Sequence, residues 1–283
     1  AVDEAGLTQQ LTQFREGGLG GVEICPIYGV KGYEDKHVEF LTPRWMALLE
    51  HTTLQAAKLG LGVDMTTGTG WPFGGVGVTN ETASAGVVLK RYELENGERL
   101  DEQLPDVPMH YVLAVSTEGH RIDITDKVKN RQLDWEAPEG TWKIYAVGVK
   151  PRVQRVKRAA PGGEGYVVDP FSVMALNQYL AAFDKAFAEF KGMMPRGQFH
   201  DSFEYYGASW TRDFFDQFKT RRGYDLRDHL EVLFKEGDRE VASRVMRDFH
   251  CTIHELHLAY LQRWTQWSHQ YGGLTRNQAH GSP

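Results

Sequence analysis

Cysteine is nearly missing from this chain: Cys25 and Cys251 are the only two in 283 residues. Two thiols so far apart exclude a disulfide framework and a cysteine-built zinc site. Long apolar runs are missing too, since none approaches the ~20 residues that a helix needs to cross a bilayer. No membrane span is expected. Positive charge is not in excess, with 32 Lys and Arg against 38 Asp and Glu and a formal net charge of -6. A general nucleic-acid binder needs a basic face to neutralise phosphates, so nucleic acid is excluded as a partner. No Gly-x-Gly-x-x-Gly opens a helix after the first predicted strand, and no Lys-Ser/Thr closes a glycine-rich turn, which leaves dinucleotide and P-loop sites without support. Gly-x-Ser-x-Gly is also absent, and with it the nucleophile elbow of an α/β-hydrolase. There is no Met at position 1 and no leader with a basic start and an apolar centre. Both ends read as cut, and the chain is expected to be part of something longer.

What remains is ordinary in bulk, at 41% hydrophobic and 25% charged residues, as in a globular protein with a sizeable core. Aromatic residues, at 12% with 7 Trp and 12 Tyr, are the first positive signal. Many stand beside Gly, Asp or His. Rings next to polar groups suit sugars, whose C–H faces stack while their hydroxyls take hydrogen bonds. A tryptophan-rich core fits the same composition, and composition alone does not choose.

Hydrophobic periodicity gives the organisation. Leu7, Leu11 and Phe14 predict a helix over 5–18, ended by Gly17-Gly18. A short strand follows at Gly20 to Pro26, then a helix with Thr42 as N-cap and Pro43 in its first turn. Leu61 to Met65 reads as a second strand, running into the loop Thr67-Gly68-Thr69-Gly70-Trp71-Pro72-Phe73-Gly74-Gly75. Residues 82–160 change character, with β-rich runs around Val87, Tyr111 and Trp142 separated by turn signals at Asn96-Gly97, Gly119 and Gly140. Beyond Asp169-Pro170 the helical pattern returns. It is followed by a strand over 197–204, a helix over 210–222, a long helix over 240–270 and a last strand after Gly272-Gly273. Alternating helices and strands imply a parallel sheet with right-handed crossovers. The expected class is therefore α/β, an incomplete (β/α)₈ TIM-type barrel: 1–81 its first part, 82–160 an antiparallel β insertion, 161–283 its continuation. An open doubly wound sheet is the rival.

Barrel enzymes carry their chemistry at the C-terminal ends of the strands. Polar or aromatic residues stand there: Glu23 and Tyr28, Asp64 and Trp71, the segment His200-Asp201-Ser202-Phe203-Glu204, and Gln278 with His280. In an extended segment Asp201 and Phe203 face one way, Ser202 and Glu204 the other. Phe203 and Tyr205 flank Glu204, no Lys or Arg is interleaved, and aromatic surroundings would raise its carboxyl pKa, as a general acid requires. A cap or ion pair with a neighbouring helix is the plainer reading of the same residue. His250, His254 and His257 recur at helical spacing but lack the zincin order, so they point to solvated or core histidines. Arg152, Arg155, Lys157 and Arg158 read as a solvated hairpin edge.

Five segments occur in an order that resembles a known family: Gly20-Gly21-Val22-Glu23-Ile24, Gly60-Leu61-Gly62-Val63-Asp64, the loop from Thr67 to Gly75, Asp201-Ser202-Phe203-Glu204, and Arg276-Asn277-Gln278-Ala279-His280-Gly281. Order and wording are similar to the α-L-rhamnosidases of glycoside hydrolase family 106, and the likeness spans nearly the whole chain. Asp123-Ile124-Thr125-Asp126 and the stretch Trp135 to Trp142 look like the β segment embedded in that barrel. The resemblance implies an inverting glycosidase that removes terminal α-L-rhamnose from plant or bacterial polysaccharides with two carboxylates, in the periplasm or secreted. Glu204 matches one acidic position of the family and is the catalytic candidate. Glu23, Tyr28, Asp64, Trp71, His200, Asp201, Gln278 and His280 are the substrate-binding candidates. The family's first barrel strand and the acidic motif after the Gln-Ala-His-Gly strand have no counterpart, so the second carboxylate is expected outside these residues. Calcium is implied as a cofactor, and no calcium ligands map onto the chain. A degenerate barrel that binds carbohydrate without cleaving it is the alternative.

Overall fold

A computed structural model describes residues 2–75 and 77–282, and contacts divide the chain into two compact units. The first comprises Ala1–Ser84, Arg152–Ala208 and Leu256–Pro283; the second comprises Ala85–Pro151 and Ser209–Glu255.

The first unit is a mixed α/β assembly. Helix α1 (Glu4–Glu16) starts where the Asp3 carboxylate accepts a bond from the Gly6 amide at 2.8 Å. Helix α2 (Pro43–Lys58) starts at the expected Thr42 cap, and α3 (Val173–Phe187) at a Ser172 cap. Four strands, Gly21–Ile24, Gly62–Thr66, Gly197–His200 and Leu274–Asn277, pair in that order, all parallel. Glu23 and Asp64 are register partners on one face, and Arg276 lies on the same face two positions beyond Leu274. A flat sheet would hold its outer strands roughly 14 Å apart. Glu23 on the first strand and Arg276 on the last nevertheless form an ion pair, so the sheet curls around this face. The opposite face buries Met65 against α3 and the second half of the long helix, among Leu176, Phe183, Tyr260, Trp264 and Trp267.

The second unit holds an antiparallel sheet in the order Ala85–Leu94, Trp142–Pro151, Met109–Ser116, Arg121–Asp123. Val112, Ala114, Ile144 and Ala146 form its core with Leu104 and Ile124. Helix α4 (Phe214–Arg222) and a 3₁₀ segment, Leu226–Phe234, complete it. Helix α5 (Arg239–Gln270) gives its residues up to Glu255 to this unit and the rest to the first.

Two expectations are corrected. The single strand over 197–204 is two, Gly197–His200 and Phe203–Glu204, because the Asp201 carboxylate accepts from the Ser202 amide and turns the chain between them. Helix α4 begins at Phe214, four residues late, since Trp210 is held in a backbone bridge to Ala85. The 3₁₀ segment was not foreseen. As for the tryptophans, Trp210, Trp264 and Trp267 are fully buried, so much of the aromatic signal is core. No helix among the described residues is long and apolar enough to cross a membrane.

Candidate functional site

Beyond the C-terminal end of the parallel sheet, three loops of the first unit meet. The glycine-rich loop runs antiparallel to the basic run: the Trp71 amide donates to the Lys157 carbonyl at 3.1 Å, and the Lys157 amide donates back to Trp71 at 2.8 Å. Gly70 makes this approach possible. Its φ is +56°, and a Cβ there would stand 1.8 Å from the Lys157 carbonyl oxygen. The third segment is Phe203–Glu204, which pairs with Gly281–Ser282.

Glu204 is the centre of what they build. Its Oε2 accepts from Lys157 Nζ at 2.7 Å and from the Trp71 indole N–H at 2.9 Å, and its backbone carbonyl accepts from Gln154 Nε2 at 2.8 Å. The Tyr206 ring lies 4.4 Å from the Lys157 ammonium. The sequence led us to expect a raised carboxyl pKa; the structure reverses it. Hydrogen bonds from Lys157, then from Trp71, hold the Glu204 carboxyl below its ordinary value and outweigh desolvation. The cation is 47 positions away in sequence, which is why the local reading missed it. Lys157 itself is raised by its bond to Glu204, and it is no solvated edge.

The predicted binding residues separate into groups. Tyr28 and Trp71 join this cluster through Arg158, whose guanidinium lies 5.2 Å from the first ring centroid and 5.5 Å from the second. Trp71 thus turns its N–H to Glu204 and shares a ring face with Arg158. Asp64 is elsewhere: it is in register with Gly197, at the start of the strand whose far end leads to Glu204, and its carboxylate is forked by Arg196 at 2.8 and 3.0 Å. Glu23 lies on the same curled face, paired with Arg276. His200 is wholly buried on the helix side. Its Nδ1–H donates to the Asp201 carbonyl at 2.7 Å, and its Nε2 accepts from Tyr205 O–H at 3.1 Å. Burial pushes its pKa down to about 3, so it is a neutral interior group. Asp201 spends its carboxylate on the Ser202 amide. Gln278 and His280 are exposed and touch the region through their backbone, by bonds to the His200 carbonyl and from the Phe203 amide.

A mainly apolar cavity of about 350 Å³ lies on another side of Tyr28, lined by Ile24, Ile27, Trp45, Leu48 and Leu49, and Glu204 is not part of it. Among the described residues no three His, Cys, Asp or Glu side chains converge as a metal site. The expected calcium finds no such set of side chains among these residues.

Residues 110–275 match the family model described as alpha-L-rhamnosidase. The chain is 24% identical over 308 aligned residues to a Formosa agariphila protein named "Putative beta-glucuronidase", covering 90% of this chain and 26% of that protein. A solved rhamnosidase from Novosphingobium sp. PP1Y superposes with a TM-score of 0.80 at 16% identity, over 98% of this chain and 45% of its own. The chain therefore spans about a quarter of the one and under half of the other.

Proposed function

The chain belongs to the alpha-L-rhamnosidase family, glycoside hydrolase family 106, and from that premise we propose that it supplies part of the active site of an inverting glycosidase, with Glu204 as one of the two carboxylates. The substrate we propose is a terminal α-L-rhamnoside of a plant or bacterial polysaccharide, met in the periplasm or outside the cell. The curled parallel sheet supports an incomplete (β/α)₈ barrel as its frame, with the second carboxylate in the part of the relatives' length that this chain does not cover.

Cleaving a glycoside with inversion needs one carboxyl to protonate the leaving oxygen and one carboxylate to activate water on the other face of the sugar. The observation that carries the reading is the pair of donors, Lys157 Nζ and the Trp71 indole, on one oxygen of Glu204. Such a carboxylate stays ionised at neutral pH. It suits the base that takes a proton from water, and it does not suit the acid. Trp71 and Lys157 fix the carboxylate plane, and Tyr28 and Trp71 offer rings at the rim.

The test is Glu204→Gln in the full-length protein, assayed on an aryl rhamnoside and on one with a poor leaving group. Loss of a catalytic base costs about 10²–10⁴-fold on both. A loss confined to the poor leaving group would return Glu204 to the acid role. Unchanged rates would remove it from the mechanism. Rhamnose binding with no hydrolysis by the unaltered protein would favour the carbohydrate-binding alternative.

A further inference from the structure

We propose that Arg158, seated between Tyr28 and Trp71, is a subsite for the carboxylate of a uronic acid that the substrate carries beside the scissile sugar. The proposal rests on the reading of Glu204 as the centre of the site.

The basic run has four cations, and their surroundings differ. Lys157 is bound to Glu204. Arg152 and Arg155 both lie over the Tyr166 ring, at 4.9 and 4.7 Å from its centroid. Arg158 faces the Tyr28 and Trp71 rings, and the second of these donates its indole N–H to Glu204. Among the described residues no Asp or Glu forms an ion pair with it, in a chain where acids outnumber bases. Glu204 already has two donors on one oxygen, Lys157 and the Trp71 indole.

The backbone shows that this placement is built. Arg158 has φ 56° and Tyr28 has φ 40°, both in the left-handed region that side chains other than glycine rarely adopt. The Tyr28 amide donates to the Arg158 carbonyl at 3.2 Å, so the two strained residues hold one another. Strain of this kind persists where surrounding structure over-determines it, and it clusters at ligand clamps. Here it aims a guanidinium at the two rings and leaves it exposed.

A guanidinium lying over a ring face keeps its in-plane N–H fork free. That fork matches a planar carboxylate with two parallel hydrogen bonds. The flanking rings fit the C–H face of a pyranose. An acidic sugar satisfies both halves of the socket; a neutral one leaves the fork in water.

The test is titration calorimetry at low salt with D-galacturonate against D-galactose, D-glucuronate against D-glucose, and L-rhamnose. The uronates are expected to bind about tenfold tighter than their neutral counterparts. Arg158→Gln should abolish that preference, and Arg158→Lys, which keeps the charge without the fork, should reduce it. Arg155→Gln, in the same run but on another ring, should retain it. Equal binding of uronate and neutral sugar, or a preference surviving in Arg158→Gln, overturns the subsite. Loss of the preference in Arg155→Gln as well would reduce it to a diffuse positive field and overturns it too. Galactose 6-sulfate binding tighter than galacturonate reassigns the fork to sulfate esters. Rhamnose binding without any uronate preference defeats this inference alone; failure of rhamnose and uronates alike defeats the reading of the Glu204 site.

Discussion

Lys157 lowers the pKa of Glu204, and under the proposed base role that has a consequence for pH. A base works only when ionised, so the acid limb of the rate profile follows the Glu204 pKa. With Lys157 and Trp71 bonded to it, that limb is expected below the ordinary carboxylate value. Lys157→Met removes the largest of the influences that lower this pKa. The limb should move up in pH, with the rate at neutrality falling less than in Glu204→Gln. A pH–rate series on the two variants checks this, and an unmoved limb would show that another group sets it. His200 gives a separate expectation of opposite character, on stability. Its folded pKa, about 3, lies well below the ordinary ~6.5 of an unfolded chain. The unfolded state then binds the extra proton first, so stability falls as pH drops from about 6.5 towards 3. His200→Gln keeps an acceptor for the Tyr205 hydroxyl and should flatten that fall. Thermal unfolding midpoints between pH 7 and 4 measure it.

At the scale of elements, the site depends on how closely two loops approach. Gly70 is the point of contact, and Ala there would drive a methyl into the Lys157 carbonyl while keeping a left-handed φ. Gly70→Ala should cost about 1–3 kcal/mol or more of stability. It should also raise the acid limb of the rate profile, because Lys157 can no longer reach Glu204. Denaturant midpoints and the pH profile should shift together; a stability loss with an unchanged profile would separate the loop from the chemistry. The elements themselves were largely legible. Apolar spacing located α1, α2, α3 and α5, and Thr42-Pro43 marked the start of α2 where the structure has it. Local chemistry that competes with the backbone was harder to read. The Asp201 carboxylate on the Ser202 amide split a strand, and the Trp210 bridge delayed α4. Within the site, Glu204 and Trp71 stood out as strand-end residues, while Lys157 and Arg158 did not. Their roles depend on a loop-to-loop pairing between positions 71 and 157, and no spacing rule reports such a distance. The basic run from Arg152 to Arg158 was the available signal, and its local sequence reads as a solvated hairpin edge.

Over the whole molecule, the division of labour follows the division of the chain. Tyr28, Trp71, Lys157, Arg158 and Glu204 all fall in the first unit, although they come from three separate stretches of sequence. The second unit interrupts that order twice and has its own core around Val112, Ile144 and Ala146. Helix α5 is the continuous element shared by both, passing from one to the other after Glu255. Ile144 is fully buried, so Ile144→Ala removes methyl and methylene groups from a packed interior and should cost about 2–5 kcal/mol. Its core cluster contains none of the residues around Glu204, so sugar affinity at temperatures well below unfolding should stay within about twofold, an expectation from the additivity of independent sites. The readouts are a denaturant titration followed by tryptophan fluorescence and a calorimetric titration with L-rhamnose. Destabilisation with affinity retained would show a site that depends on the first unit alone. Affinity lost in proportion to stability, in a protein that is still folded, would show that α5 transmits strain from one core to the other, and the site would then have to be described as a property of both units.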